Sequence, residues 1–524
     1  MKQIFPIVLC GVALSLSGCS DSSSGKTRSV SVPVMVCTEV MYHPQEGMPE
    51  FVELKLTGTS LSSMSAVNLR LDGAVEYTFP DEPLAENEII VVTNSTALFK
   101  TAYPNFTGRL FQWNFGEKLS NAGDVLEVKL DGPGDVDARF DNNPPWPSLA
   151  AGNGSSLVYV GGNPAYAEAW AASKTLGGNP GSEDDPYYRL PSVRINEILP
   201  YVNGGESWIE FYNADSVDAD IGGWKIVRAD AEDSIRFVPS GSVVPANGYL
   251  VLNTLLTESG EESAASFVAR GEAVYLREVV NGTLTGVESS LEYAAVPDGK
   301  SAGVIELSDS TTAQGTLLTP TPGSVNAKIS LGPVYISEVY YNPPDGDVEF
   351  LEIVNRGESS VALRNTIDSA TYGWKIGGIG FEWADTASLD PGEIAVLIPE
   401  QYTAADGITS VKVTADEFRV KWNLPATLKI FQYPGKLSNR GEKISVENPK
   451  ATALKVSNND EDEDAAKTSV KIFYQVSDAI LYSDDGLWPE EADGLGYSLS
   501  RVDYAVSGYE PSNWTAKEPT PGIL

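Results

Sequence analysis

The sequence predicts an all-β protein built as three β-sandwiches in a row. Its 524 residues are too many for one core and suit roughly three domains of about 150 residues each. Its 48 glycines and 33 prolines are spread along the chain, as many turns between short strands require. One turn is also written twice: KLSNAGD at residues 118–124 returns as KLSNRGE at 436–442. The motif repeats because the unit that contains it repeats.

The first element is a leader. The chain begins MKQIFPIVLCGVALSLSGCS. Lys2 supplies a positive start, and residues 4–16 form an apolar run of secretory length, too short to stay in a bilayer as a spanning helix. Leu16-Ser17-Gly18-Cys19 resembles a bacterial lipobox. That resemblance implies cleavage before Cys19, diacylation of Cys19 and a lipid-anchored product. Ser20 after the cysteine implies the outer membrane, by the sorting rule of enteric bacteria. Residues 1–18 are therefore read as a lipoprotein signal peptide. Residues 19–31 are read as the lipidated cysteine and a flexible, Ser-rich linker. The expected location is the outer membrane or cell surface of a Gram-negative bacterium, with the membrane as a partner through the anchor. With Cys10 removed and Cys19 acylated, Cys37 stands alone, so no intramolecular disulfide is expected.

Three units follow, at 32–182, 191–326 and 333–524. Each opens on an alternating strand: VCTEVMYHP from Val36, RINEILPYV from Arg194, YISEVYYNP from Tyr335. A second strand follows: EFVELKL from Glu50, SWIEFYN from Ser207, EFLEIVN from Glu349. GWKI then occurs at 223–226 and 373–376, where the first unit has NLRL at 68–71. A Pro/Asn/Gly turn leads to a further strand in each unit. The KLSN turn feeds the next, and the second unit keeps only its end, ARGEAVYL at 269–276. Gly123, Gly271 and Gly441 align there and are expected to supply a positive φ. WPSLAAGNGSSL at 146–157 matches WPEEADGLGYSL at 488–499, and Trp170 matches Trp514. Each unit closes on a Pro-Gly: NPG at 179–181, TPG at 321–323, TPG at 520–522. The third unit carries extra length near 364–372 and 448–468. The second is abbreviated.

This ordered set is similar to the bacterial lamin tail domain and covers nearly all of 32–524. The resemblance implies three tandem immunoglobulin-like β-sandwich domains. It also implies an interaction module, as the related domain is in nuclear lamins, with protein partners.

Chemistry is sparse. His43 is the sole histidine and sits before a proline in a loop, as a turn residue would. No Ser-nucleophile elbow, zinc spacing, P-loop or dinucleotide fingerprint is present. Cys37 falls on the apolar face of its strand, as a buried thiol would. Trp146 and Trp488, like Trp170, Trp514, Trp224 and Trp374, recur at matched places and read as packing residues. Carboxylates are the abundant group. Glu39 with Glu53, Glu197 with Glu210, and Glu338 with Glu352 recur as pairs at nearly constant spacing. If the strands are neighbours, each pair needs a cation, a shared proton or N–H donors to offset repulsion. Calcium is the one cofactor such pairs would hold. The acidic loop NNDEDED at 458–464 fails as an EF-hand, because Ala465 and Lys471 stand where glycine and glutamate belong.

The formal charge of −36 and the lack of a basic stripe exclude nucleic acid as a partner. The function expected first is a non-enzymatic, lipid-anchored cell-envelope protein presenting three interaction modules for adhesion, scaffolding or ligand binding, with protein or glycan partners. The alternative is a calcium- or carbohydrate-binding accessory protein of an exported degradation system. A metal-dependent hydrolase ranks third.

Overall fold

The computed structural model describes residues 33–524, except 131–135, 143–144, 163, 183–191, 201–206, 229–234, 368, 406–408, 440, 456–467 and 485. The signal peptide, Cys19, the tether, most of the acidic segment at 182–192 and the NNDEDED loop lie outside the described residues. What is described is almost wholly β. No described helix is long and apolar enough to cross a membrane.

Apolar side chains gather into three main cores, one running from Met35 to Trp170, one from Val193 to Val304 and one from Val334 to Trp514. Each core is enclosed by two sheets, as strands with apolar inner faces require. In the first unit a six-stranded sheet runs Trp170–Ala172, Leu157–Tyr159, Val34–Met41, Phe51–Thr57, Ile89–Thr93, Arg109–Gln112. It faces a four-stranded sheet, Tyr77–Thr78, Arg70–Gly73, Gly123–Lys129, Val136–Asp141. The third unit repeats this order strand for strand, from Trp514–Lys517 to Lys429–Tyr433 in one sheet and from Phe381–Glu382 to Thr468–Ser483 in the other. The sandwich predicted from alternation and turn spacing is therefore present.

Two features lay beyond that prediction. In the first and third units a short helix follows the fifth strand of the larger sheet. Thr96–Ala102 is capped by Ser95, whose side chain accepts from Leu98 N. Ala415–Trp422 begins in a capping box between Thr414 and Glu417. Each helix carries the chain back so that the next strand pairs in parallel: Ile89–Thr93 with Arg109–Gln112, and Ile394–Pro399 with Lys429–Tyr433. The helices also cover the sheet's outer face, with Phe99 and Phe418 in small satellite cores. Strand Phe51–Thr57 is thus buried on both faces over most of its length. Among its described residues the second unit has no such helix. Its Thr254–Leu256 and Glu262–Ala264 instead form a hairpin on the opposite sheet, which is the structural content of its abbreviated sequence. The extra length of the third unit forms the hairpin Arg364–Ile367 with Ala370–Gly373 and lengthens Gly441–Lys455 with Thr468–Ser483.

The units do not string out in a line; each touches the other two. Ser148 N and Oγ donate to Glu288 at 2.7 and 2.8 Å, joining the first to the second. Ala313 and Ile305 pack against Ala479 and Tyr509, joining the second to the third. Arg139 donates to the carbonyl of Gly441 at 3.4 Å, joining the first to the third.

Candidate functional site

The carboxylate pairs meet. Glu39 lies directly opposite Glu53, Glu197 opposite Glu210, and Glu338 opposite Glu352, each on the first two strands of its unit. All three first strands carry a bulge just before the glutamate. The extra residue breaks the expected alternation and leaves the first carboxylate buried rather than facing water. All six glutamates are nearly inaccessible.

What satisfies them is the closing Pro-Gly turn of the same unit. In the third, Glu338 accepts from Thr520 N at 3.0 Å, and Glu352 accepts from Gly522 N at 2.7 Å. Pro521 lies between and has no N–H to offer. The second unit does the same: Thr321 N to Glu197 at 3.0 Å, Gly323 N to Glu210 at 2.5 Å. The first follows with Asn179 N to Glu39 at 3.2 Å and Gly181 N to Glu53 at 2.6 Å. Each turn also closes on itself, Ser182 N to Asn179 O, Ser324 N to Thr321 O, Ile523 N to Thr520 O. Gly181, Gly323 and Gly522 have φ near +80°, so each is a Pro-Gly turn with glycine at the left-handed corner.

Two side-chain donors complete each clamp. A serine at the start of each unit's penultimate strand, just before it in the first two units and its first residue in the third, donates to the first glutamate: Ser156 to Glu39, Ser301 to Glu197, Ser498 to Glu338. The residue in the bulge donates to the second: Thr38 to Glu53 at 2.7 Å, Asn196 to Glu210 at 2.8 Å, Ser337 to Glu352 at 2.7 Å. These serines were not anticipated. Ser156 and Ser498 sit inside the W-P motif, and Ser301 falls where the second unit has lost that motif. Thr38, Asn196 and Ser337 each stand directly before the first glutamate of their unit, and their shared donor chemistry was the available signal.

Burial raises the pKa of Glu197, Glu210 and Glu338, opposed by their donors. Glu352 is pushed up to about 8, first by burial and then by the charge of Glu338. A pair that is reluctant to ionise twice, ringed by N–H and O–H donors, suits a hydrogen-bonded clamp. Calcium needs converging oxygen lone pairs instead, and among the described residues no group of three or more acidic, His or Cys side chains is placed to hold a metal.

A second carboxylate row holds the opening motif. Glu50 accepts from Leu119 N at 3.0 Å, and Glu349 accepts from Leu437 N at 2.7 Å and Tyr433 at 2.6 Å. Leu119 and Leu437 are the leucines of KLSN. In the second unit, which lacks KLSN, Ser207 stands in this place and accepts from Phe267 N. Thus the two glutamates of E-F-x-E hold two different turns. Gly123, Gly271 and Gly441 have the expected positive φ, at 114°, 100° and 122°. A Cβ at Gly441 would lie 2.3 Å from the carbonyl oxygen of Tyr482.

Trp146, Trp170, Trp224, Trp374, Trp488 and Trp514 are all buried, as packing residues. Cys37 is fully buried, and burial raises its thiol far above the usual range. His43 is half-buried, its ring packed against Gly152.

Where the three units converge they leave a cleft of about 560 Å³. Trp146 and Trp488, the two copies of the W-P tryptophan, both line it. Lys443 borders it and is exposed to solvent. The Tyr509 hydroxyl first, then Glu292 and Glu447, hold its ammonium above the usual lysine range. Arg139 and Asp141 form a second pair at 3.8 Å.

The family model of the Lamin Tail Domain matches residues 189–293, most of the second unit. No curated protein matches the chain. Among solved structures, the chain is similar to the crystal structure of a DUF4876 family protein from Bacteroides thetaiotaomicron VPI-5482, at 12% identity. That match covers 58% of this chain and 92% of the other, with a TM-score of 0.17.

Proposed function

We propose, from the lamin tail domain matched at residues 189–293, that this chain is a non-enzymatic protein of the cell envelope. It is exported, anchored by lipid at Cys19, and presents its β-rich units as interaction modules for adhesion, scaffolding or ligand binding. The observation that carries this reading is the fate of the carboxylate pairs. They are the polar constellation common to all three units, and their donors come from each unit's own closing turn. A repeated clamp builds a stable module; it does not build a cleft for a substrate. The leader and Ser-rich linker support anchoring at a distance from the membrane.

The test is metabolic labelling of producing cells with an alkyne fatty acid, followed by protease treatment of intact cells. The full chain takes up label, Cys19→Ala does not, and external protease digests the labelled protein. Unlabelled full chain released from the periplasm would overturn the anchor. Labelled chain that resists external protease would overturn the surface location.

A further inference from the structure

We propose that the second unit binds an extended segment of another protein, added as a parallel strand along the open edge of Tyr249–Leu252. This names a surface for the interaction reading above and rests on it, while its failure would leave the lipid anchor and its labelling test untouched.

The edge is open where its counterparts are closed. Ile89–Thr93 and Ile394–Pro399 each carry a parallel sixth strand, Arg109–Gln112 and Lys429–Tyr433. Tyr249–Leu252 takes the same place in the second unit and ends its sheet, after which the chain crosses to the opposite sheet at Thr254–Leu256. Asn213 N donates to Gly248 O at 3.0 Å, so the two-residue period turns the backbone groups of Leu250 and Leu252 toward strand Trp208–Asn213. The N–H and C=O groups of Tyr249 and Val251 therefore point outward, and among the described residues nothing bonds them. The strand has no charge, proline or bulge to discourage pairing. Its side chains are uncovered too. Ile90, Val92, Ala395 and Leu397 are fully buried beside their sixth strands, whereas Leu250 and Leu252 are half-buried and Val251 is 37% exposed.

The occupants of the other two edges define the chemistry that fits. Each sixth strand sets a phenylalanine beside the counterpart of Leu252, Phe111 beside Val92 and Phe431 beside Leu397. Those rings pack on Phe79 and Trp383 at 5.3 and 5.6 Å. Each sixth strand also begins with a cation paired to the glutamate that precedes the receiving strand, Arg109 with Glu88 and Lys429 with Glu393, at 2.8 and 2.7 Å. Gly248 stands at that position in the second unit. The partner segment is thus apolar and carries an aromatic residue. It needs no basic residue and is held mainly by backbone hydrogen bonds.

The experiment uses the full chain in detergent and a blocked hexapeptide of residues 108–113, with Arg109→Ser to remove attraction to the acidic chain. Calorimetry is expected to show saturable binding with a dissociation constant below about 1 mM. Exchange of the Tyr249 and Val251 amides is expected to be fast in the free chain and about tenfold or more slower with peptide bound. In the first unit Trp113 N donates to Thr93 O, so Phe111 N faces the edge and Gln112 N faces away. N-methylation of the peptide's phenylalanine should therefore weaken binding about tenfold or more, and N-methylation of its glutamine should not. These peptides leave the protein unaltered, so misfolding of a variant cannot mimic the result. No saturable binding up to about 5 mM would overturn the proposal. So would equal binding of the two N-methylated peptides. Slow exchange of Tyr249 and Val251 in the free chain would also overturn it. The occupant would then be a second copy if Val251→Pro converts a dimer to a monomer, and a segment of the chain itself if the chain is already monomeric.

Discussion

Glu338 and Glu352 face each other across adjacent antiparallel strands, and each grips one end of the same three-residue turn, Thr520-Pro521-Gly522. The last residues of the unit are thereby tied to its first hairpin. The same relationship recurs between Glu197 and Glu210, and between Glu39 and Glu53.

This clamp gives the third unit a pH dependence of defined sign. Glu352 is raised to about 8 in the folded chain by burial and by Glu338, against about 4.3 unfolded. The folded state therefore binds the extra proton between those values. The stability so gained is complete below about pH 4.3 and is lost as pH rises through about 8, by at most about 1.4 kcal/mol per pH unit. Melting followed from pH 5 to 9 should show the third unit's transition falling. Glu352→Gln and Glu352→Ala should both flatten that slope, and the alanine should lie about 1–3 kcal/mol below the glutamine at every pH because it orphans Gly522 N and Ser337.

Gly441→Ala should destabilise by roughly 1–3 kcal/mol in chemical denaturation, since φ is +122° and the new methyl would strike the facing backbone. Gly380→Ala is the comparison. Its φ is also positive, but nothing lies within 4 Å of the added Cβ, so it should cost only about 1 kcal/mol.

Arg501 and Asp478 form an ion pair whose side chains are both 0% exposed, with Asp478 also accepting from Ile336 N. Removing one partner leaves the other charged and buried. Arg501→Met should cost about 3–5 kcal/mol, measured by denaturation of the full chain. Replacing both partners by apolar residues should cost less than the single change.

The contact between the first and second units depends on Glu288, which accepts from Ser148 N and Oγ and pairs with Arg277 at 2.7 Å. In Glu288→Ala, hydrogen exchange at the Ser148 amide should accelerate, while amides of strand Phe51–Thr57 in the first core keep their protection.

Much of this was legible in the sequence. The repeat placed the strands, the glycine column gave the positive φ, and matched tryptophans marked the cores. The glutamate pairs could be listed as pairs because one-sided strands put Glu39 and Glu53 in register. Their partners could not be read. Thr520 lies far along the chain from Glu338, and no local periodicity links a carboxylate to a distant backbone N–H. The bulge at Thr38 was hidden as well, since the apolar residues on either side of Thr38 and Glu39 read as a plain strand whether or not one residue is left unpaired. The two helices were missed because each is about two turns long; the Thr414-x-x-Glu417 capping box was the visible sign. The Arg501–Asp478 pair has no counterpart in the repeat to flag it. In the second unit Ser289 accepts from Ile195 N, where Asp478 accepts from Ile336 N in the third. The three-unit cleft depends on packing between units, which repeat analysis does not address.

Clamps satisfied by the protein's own donors have no need of a cation. Thermal unfolding of the full chain with EDTA and then with millimolar calcium, at constant ionic strength, tests this for the carboxylate pairs. Superimposable melts are expected. A large upward shift with calcium that disappears in Glu338→Gln would contradict this, and would make the pairs ion sites.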